Sequence, residues 1–266
     1  MKKLLIFLAG GLLAVSCIIT NLGGAWVGTC TEEGIDYTEV RDVQAFSSIS
    51  SGLPCNVYYS QADKQEVRVE TTNEFAEKVF TTVEDGTLKL KLEEGRYPKL
   101  ILRVVISTPD IEGISISGSG SLVHEGALHA SGDLSLKVSG SGDILAGSID
   151  CKDFSARVSG SGDLRLVRVA CDGFEATTGG SGHIDLKTLT AKDDVSVRVS
   201  GSGSIRLHEV DVDDNMVLKT SGSGSILVNG RCRDVNATTS GSGSISGSLS
   251  HTAIHTHTSG SGHVNL

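Results

Sequence analysis

The chain has 266 residues, of which 33 are glycine, only three are proline and 4% are aromatic. This composition is unusual for a compact globular protein and suits a thin structure with a narrow core. The formal net charge of −9 argues against a nucleic-acid partner, because binding to phosphates requires a basic face.

Residues 1–16 have the pattern of a secretory signal peptide. Lys2 and Lys3 precede an apolar run from Leu4 to Val15, which is too short to span a bilayer. The run leads into Ala-Val-Ser-Cys17, which resembles the lipobox of bacterial lipoproteins, with Ala14 where that family usually has leucine. The resemblance implies that Cys17 becomes the acylated N-terminus, and the alternative is ordinary cleavage that leaves a free cysteine. We predict a lipidated N-terminus and a tether over residues 17–38.

Five further cysteines would enter a compartment that permits disulfides. No two of them have C-x₂-C spacing, so we expect no zinc site. Because their number is odd, at least one stays free or pairs between molecules. The sequence leaves their pairing open among Cys30, Cys55, Cys151, Cys171 and Cys232.

Residues 39–110 predict a β-rich block at the start of the folded domain. Strand patterns cover residues 56–60, 66–71 and 99–108, and two helical turns are expected over 73–80 with Asn73 as N-cap. Asp85-Gly86 between two alternating runs is a strong hairpin signal. The repeat region follows this block in the chain, and we expect the block to cover the open edge of the first coil.

Residues 111–266 carry a repeat. Ser-Gly-Ser-Gly begins at Ser117, Ser139, Ser159, Ser200, Ser221, Ser240 and Ser259, and a degenerate copy fills residues 179–182. The steps of 19 to 22 residues indicate one supersecondary unit stacked on the next.

Apolar and polar residues alternate through the repeat, as in a half-buried strand. The serines fall on the outward parity and the glycines on the inward one, where we expect them to let the wall bend or approach the opposite wall. Polar turn segments such as 170–173 and 212–215 end each coil. We therefore predict an all-β, right-handed parallel β-helix (β-solenoid) with coils of about 20 residues, in one domain over 39–266. Eight coils make a rod of ~35 Å, with an inward ladder of Leu122, Ile144, Leu164, Ile184, Ile205, Ile226, Ile245 and Val264.

Both the entry block and the repeat carry a family likeness. Phe46-Ser47-Ser48-Ile49, residues 56–61, residues 83–88 and the serial Ser-Gly-Ser-Gly occur in the order seen in the head-GIN-domain family, which the chain resembles from about residue 40 to its end. Members are exported β-helical proteins of Gram-negative bacteria described as auto-transporter adhesins. The resemblance implies that fold and an adhesin role, and it supplies no catalytic residue.

The residue after each repeat motif forms a polar column. Asp143, Asp163 and His183 are expected to lie one coil apart, near enough to share a cation. Calcium requires six or more oxygen ligands, however, and one carboxylate per coil is few, so we favour a solvated polar ladder. His255 and His257, with His251 nearby, are also a weak metal signal. We expect no metal site, no cofactor and no catalytic residue.

Two outward columns are the candidate binding surface. A basic stripe, which we expect to include Arg165 and Arg206, could hold acidic polysaccharide, or it could simply keep the face soluble. The serines form flat rows suited to weak contact with a glycan, a cell-surface protein or another copy of the chain. The candidate residues are Lys137, Arg157, Arg198, Lys219, Ser159, Ser200, Ser221 and Ser240.

Together these features predict a non-enzymatic lipoprotein of the bacterial cell envelope that acts as an adhesin or binding module. It would be exported and held by Cys17 in membrane lipid, in the outer membrane. A β-helical enzyme acting on acidic polysaccharide is one alternative, although the even repeat steps leave no room for the long loops that build a cleft. A purely structural envelope protein is the other.

Overall fold

The computed structural model describes residues 26–266, which form a parallel β-solenoid of about seven turns. The predicted signal peptide and Cys17 lie outside the described residues. Strands join into a 13-stranded first sheet and an 11-stranded second sheet. The strands are β1 (Trp26–Thr31), β2 (Tyr37–Arg41), β3 (Ser48–Ser51), β4 (Val57–Gln61), β5 (Glu66–Thr71), β6 (Val79–Glu84), β7 (Thr87–Leu92), β8 (Arg96–Thr108), β9 (Gly113–Ile116), β10 (Leu122–His129), β11 (Leu134–Val138), β12 (Ile144–Asp150), β13 (Asp153–Val158), β14 (Leu164–Cys171), β15 (Gly173–Thr178), β16 (His183–Ala191), β17 (Val195–Val199), β18 (Ser204–Val212), β19 (Met216–Thr220), β20 (Ser225–Arg231), β21 (Asp234–Gly241), β22 (Ser244–Ser250), β23 (Ala253–Gly260) and β24 (His263–Asn265).

Each coil gives one strand to the second sheet and the next strand to the first sheet. From β10 onward the first sheet runs β10-β12-β14-β16-β18-β20-β22-β24, and every pair is parallel. The predicted inward ladder is confirmed, since Leu122 pairs with Ile144 and the register continues coil by coil to Val264. Seven of its eight side chains are fully buried. This ladder therefore runs through the hydrophobic core along the axis of the rod.

A bend within the first-sheet strands gives each coil a third side. In β14 the alternation stops between buried Leu166 and buried Val169, and the two residues between them both lie outside the core. Val167 is 57% exposed as a result. The alternation then resumes in the opposite phase up to the polar turn around Asp172, which leads back into the second sheet.

The Ser-Gly-Ser-Gly motif is a corner between the two sheets, so in most coils the strand does not run through it as the alternation predicts. Ser159–Gly162 separates β13 from β14. The carbonyl of Gly140, one coil earlier, accepts hydrogen bonds from two successive amides, Ser161 N at 3.1 Å and Gly162 N at 3.3 Å. Because two neighbouring N–H groups converge on one oxygen, the chain must turn there.

The chain bends at these glycines, which is one of the two expected roles, but they face the neighbouring coil and not the opposite wall. A Cβ placed on Gly160 would lie 2.0 Å from Gly140 O, and one on Gly162 would lie 1.9 Å from Gly142 O. Both distances are far below van der Waals contact. The missing side chains therefore allow successive corners to stack along the axis of the rod.

The N-terminal block covers the first edge of both sheets, as predicted. The first sheet ends at β2 and β5, which run antiparallel, and the second sheet ends at the β6–β7 hairpin. Asp85 and Gly86 make the hairpin loop with φ of 49° and 70°, which is the backbone twist of a two-residue type I′ turn. The outermost pair of strands at this end is thus antiparallel in each sheet, unlike the pairs of the repeat region.

Two segments of this block differ from the sequence expectation. The helical turns expected over 73–80 reduce to a three-residue 3₁₀ helix, Ala76–Lys78, because Val79 and its neighbours pair with β7 instead. Residues 26–31, within the predicted tether, form β1 on β8, with Val27 buried. Within residues 26–266, no helix has the length and apolar character needed to cross a bilayer.

Candidate functional site

The basic stripe of the second sheet is a single straight column. Lys137 pairs in register with Arg157, and Arg198 pairs with Lys219. Thr177 occupies the coil between Arg157 and Arg198. We call Lys137, Arg157, Arg198 and Lys219 the basic column. All four side chains are exposed, and parallel strands spaced ~4.8 Å apart make the column ~19 Å long.

Most of this charge is not neutralised by the protein. Arg198 forms an ion pair with Glu175 at 3.1 Å, diagonally across the neighbouring coil. For Lys137, Arg157 and Lys219 the described part of the chain offers no acidic partner within ion-pair distance. By contrast Arg165, Arg168, Arg231 and Arg233 of the same rod are all paired with aspartates.

A column of serines runs directly beside the basic column. It consists of Ser139, Ser159, Ser200, Ser221 and Ser240, and it extends the strand pairing by one residue into the corner. The Ser200 hydroxyl donates to Thr178 O at 3.3 Å, in the preceding coil, and the Ser240 hydroxyl donates to Thr220 O at 3.4 Å. These hydroxyls keep acceptor capacity toward solvent. The structure thus brings the two predicted columns together on one face.

A shallow open groove of about 590 Å³ runs along the basic column on the side opposite the serine column. Ser135, Ser155 and Arg198 lie along it, and Phe154 and Phe174 form its floor. The two phenylalanine rings stack with centroids 5.6 Å apart, and both are buried. Glu175, which belongs to the groove and pairs with Arg198, was missed by sequence reasoning because the two lie 23 residues apart.

Arg165 and Arg206 do not belong to the basic column, which corrects the sequence expectation. Both lie on the first sheet, where Asp185 is in strand register with Arg165 on one side and with Arg206 on the other. The Ser-Gly-Ser-Gly corner lies between them and the basic column, so residues that follow the motif face a different side from residues that precede it. Arg165 also forms ion pairs with Asp143 at 3.1 Å and Asp163 at 2.6 Å.

The polar column after each motif holds successive coils together. The Asp143 carboxylate accepts from Asp163 N at 2.8 Å, and the Asp163 carboxylate accepts from His183 N at 2.9 Å. His183 Nδ1 in turn accepts from Ser204 N at 3.1 Å. From Ser225 onward the amide donates instead to a glycine carbonyl of the preceding coil. These side chains therefore replace a backbone acceptor.

This column has the geometry of a structural clamp. Arg165 neutralises both aspartates, and no cluster of three or more His, Cys, Asp or Glu side chains able to hold a metal occurs within residues 26–266. Ser204 Oγ lies 2.9 Å from His183 Nδ1, which resembles a nucleophile–base pair. However, Ser204 is only 5% exposed, so its hydroxyl is covered by the coil.

A second ionic cluster lies on the outer face of the first sheet. Asp185 contacts Lys187 Nζ at 2.8 Å and His208 Nε2 at 3.2 Å. Partial burial raises the pKa of the Asp185 carboxyl, but the hydrogen bonds from Lys187 and His208 outweigh it and lower the pKa below its ordinary value. Asp185 therefore stays ionised at neutral pH.

One of the histidines near the C-terminal end of the rod continues the basic column. His257 pairs with Thr238, which pairs with Lys219, so His257 continues the basic column. His255 points the same way from the same strand, and His251 lies in the preceding turn.

These observations define a class of protein: a parallel β-solenoid whose regular outer face carries columns of equivalent side chains. The chain belongs to the family described as "Putative auto-transporter adhesin, head GIN domain", whose sequence model matches residues 45–212 and 175–266. The predicted family is thereby confirmed. No curated protein matches the chain.

Several solved structures share this fold. A putative adhesin from Parabacteroides merdae superposes with a TM-score of 0.75 at 19% identity, covering 88% of this chain and 96% of that one. A putative lipid binding protein from Parabacteroides distasonis gives 0.73 at 22% identity, with 88% and 97% covered. A putative adhesin from Bacteroides fragilis gives 0.69 at 21% identity, with 90% and 99% covered. At these identities the likeness concerns the fold.

Proposed function

We propose that this chain is a non-enzymatic binding module of the bacterial cell surface, which attaches to acidic polysaccharide through the basic column. The family supports an adhesin or binding role at the cell surface. The observation that carries the ligand class is the alignment of four exposed cations on one straight line, three of them without an acidic partner among the described residues.

The arrangement favours an extended polyanion over a compact one. The charges lie one or two coils apart, at ~4.8 or ~9.6 Å, over ~19 Å, and the face is flat apart from the shallow groove. Each contact is solvent-exposed and therefore weak, because an exposed ion pair contributes only about 0–1 kcal/mol. Several equivalent contacts along one ligand chain add through effective concentration, so no single coil dominates.

The test replaces the whole basic column. Lys137, Arg157, Arg198 and Lys219 are changed together to Ser, and binding to immobilised heparin, polygalacturonate and neutral dextran is measured at several salt concentrations. We expect the wild type to retain the two acidic polymers but not dextran, with retention falling as salt rises. The variant should lose most of this retention, whereas each single substitution should weaken it only modestly.

A matched control removes four cations elsewhere. Lys64, Lys99, Lys187 and Arg206 are exposed or half-buried away from this face, and changing them to Ser gives the same net charge. If this control loses as much retention as the column variant, binding follows net charge and the proposed site is wrong.

The serine column tests a second contribution on the same face. Changing Ser159, Ser200, Ser221 and Ser240 to Ala removes the hydroxyls without altering charge, and changing them to Glu places repulsive charge beside the basic column. We expect the Glu variant to lose acidic polymers. Loss in the Ala variant as well would show that the hydroxyls contact the ligand directly.

We also propose that Cys17 is lipidated and anchors the protein in the outer membrane. The signal pattern and Ala-Val-Ser-Cys17 support this. Cells grown with a fatty-acid analogue should label the wild type, and Cys17→Ala should lose both the label and the membrane fractionation. A Cys17→Ala protein that still carries the label would contradict lipidation.

The two alternatives give different results in the same experiments. A polysaccharide-cleaving enzyme would release product from the acidic polymers, and one substitution such as Asp143→Asn or Asp163→Asn would abolish turnover while binding persisted. A purely structural envelope protein would bind none of the polymers, before or after substitution. Either result would overturn the proposal.

A further inference from the structure

Two of the five described cysteines occupy the same position in consecutive coils. Asp150 pairs in register with Ala170, and Cys151 N donates to Ala170 O at 3.1 Å, so the parallel pairing brings Cys151 beside Cys171. Neighbouring parallel strands lie ~4.8 Å apart, which is within the range of ~4.4–6.8 Å between Cα atoms that a disulfide requires. Both side chains pack on the core side of the strand.

A second pair joins the N-terminal strand to the solenoid. Cys30 lies on β1, which pairs in parallel with β8, and Cys55 immediately precedes β4. Cys30 is in register with Leu100 of β8 and Val57 with Val104 of the same strand, so Cys55 follows Cys30 along β8. Cys30 Sγ lies 3.8 Å from Leu102 O, and both cysteines line one small cavity of about 60 Å³. The two side chains therefore meet at this cavity, where a small adjustment would bring the sulfur atoms to bonding distance.

The fifth cysteine is too far from the others to take part. The register that places Cys171 beside Ala191, and Ala191 beside Val212, places Cys232 three coils from Cys171. That separation is ~14 Å, beyond the reach of a disulfide. Cys232 is buried.

We propose that the native protein contains two disulfides, Cys30–Cys55 and Cys151–Cys171, and keeps Cys232 as a buried free thiol. The inference rests on the export included in the proposed function, because such bonds persist in an oxidising compartment. In each case two thiols lose two protons and two electrons to form one S–S bond. A disulfide-bearing oxidant accepts the electrons by thiol–disulfide exchange and leaves as two thiols.

The bonds form more readily before the coils close. Burial, followed by the nearby aspartates, raises the pKa of Cys151 to about 12, and burial with the neighbouring Cys151 raises the pKa of Cys171 to about 12. Burial and the neighbouring Cys30 thiol likewise raise the pKa of Cys55. Since the thiolate is the reacting form, the folded thiols react slowly and the unfolded chain reacts readily.

Each disulfide has a distinct mechanical consequence. Cys151–Cys171 would close a loop of 20 residues and hold two successive coils together at one point. Cys30–Cys55 would hold β1, the described strand nearest the proposed lipid anchor, to the block that caps the solenoid. Tension between a bound surface and the anchor would then pass through a covalent bond and not through the β1–β8 pairing alone.

The experiment maps the thiols of the full-length protein. The protein is exported in a Gram-negative host, free thiols are alkylated before lysis, and proteolytic fragments are analysed by mass spectrometry without reduction. We expect linked peptides containing Cys30–Cys55 and Cys151–Cys171, with alkylation at Cys232 only after denaturation. Cys171→Ser should make Cys151 available to alkylation after denaturation and leave Cys30–Cys55 intact, and Cys232→Ser should leave both links unchanged.

A second arm separates failure of the disulfides from failure of export. Reduced, denatured protein is refolded in a mixture of oxidised and reduced glutathione, and its mass and thermal unfolding are measured. We expect the loss of four hydrogens relative to the reduced chain and a midpoint several degrees above that of the reduced protein. Links present only after refolding would show that the pairing is right and the export wrong. Five alkylatable thiols in both arms, or any other pairing, would overturn the proposal.

Discussion

Gly162→Ala tests whether the corner glycines exist to let the coils stack. Its Cβ would lie 1.9 Å from Gly142 O and 2.9 Å from two further backbone carbons, about 1.5 Å short of ordinary contact with that oxygen. All three atoms are backbone, so no side chain can rotate away. The two coils must separate locally or the corner must change conformation.

The expected cost depends on the contacts that such a separation breaks. Overpacking of a well-packed site costs about 1–3 kcal/mol. Separation also lengthens the two hydrogen bonds from Ser161 N and Gly162 N to Gly140 O, each worth about 1 kcal/mol and more if its N–H stays buried. We therefore expect Gly162→Ala to lower the free energy of unfolding by about 3–5 kcal/mol, and the midpoint by on the order of 10 °C.

Gly132→Ala is the matched control. A Cβ on Gly132 meets no atom within 4 Å, and its backbone does not have positive φ. The substitution should therefore change stability by no more than about 0.5 kcal/mol, because a position with open space for a methyl group tolerates one. Both variants are measured by thermal and urea unfolding, followed by far-ultraviolet circular dichroism. If Gly162→Ala unfolds within about 1 kcal/mol of Gly132→Ala, the stacking explanation is refuted.

Three further substitutions test the core, the polar column and the outer ionic cluster. Ile205→Asp buries an unpaired charge in the inward ladder and should cost several kcal/mol, whereas Arg206→Ser on the outer face should cost about 0.5 kcal/mol or less; similar urea midpoints for the two would refute the assignment of faces. Asp163→Ala leaves the His183 amide without its acceptor and should cost about 1–3 kcal/mol. Asp163→Asn keeps an acceptor oxygen and should restore most of that stability. An Asn variant as unstable as the Ala variant would contradict the role of Asp163 in holding successive coils together. Asp185 has a lowered pKa, so its ion pairs contribute stability that is present at neutral pH and is lost as the pH falls through the folded-state pKa. Asp185→Asn should thus be less stable than the wild type by up to about 1 kcal/mol at neutral pH, with the difference shrinking as the pH falls below the ordinary pKa of an aspartate carboxyl. A difference that does not change with pH would exclude this linkage.

Much of the fold is determined by local pattern. The parity of apolar residues fixes the inward ladder from Leu122 to Val264, because a register slip of one residue would expose the whole set. The spacing of the motif fixes the coil length, and Asp85-Gly86 fixes the hairpin. The helical turns expected over 73–80 failed because strand pairing with β7 overrode a weak local preference.

The role of the glycines and the faces of the basic residues depend on information that alternation does not contain. Parity distinguishes inside from outside, but it does not show that the chain turns a corner at Ser159–Gly162. Residues before and after the corner therefore have the same parity and lie on different sheets, as Arg157 and Arg165 do. Likewise, the clash expected at Gly162 concerns the coil below it, a contact 20 residues away in sequence.

The stacked corners also bear on how such a rod can change length during evolution. A corner contacts an equivalent corner on each side, so duplicating or losing one whole coil gives every new neighbour a matching surface. The hydrogen bond that follows each corner also tolerates a change of neighbour, because the next coil's amide can donate to an aspartate, a histidine or a glycine carbonyl. Each such event would move the far end of the protein by ~4.8 Å and would extend or shorten the columns on its surface by one residue. Reach and number of binding contacts are therefore inherited together, as a single count of coils.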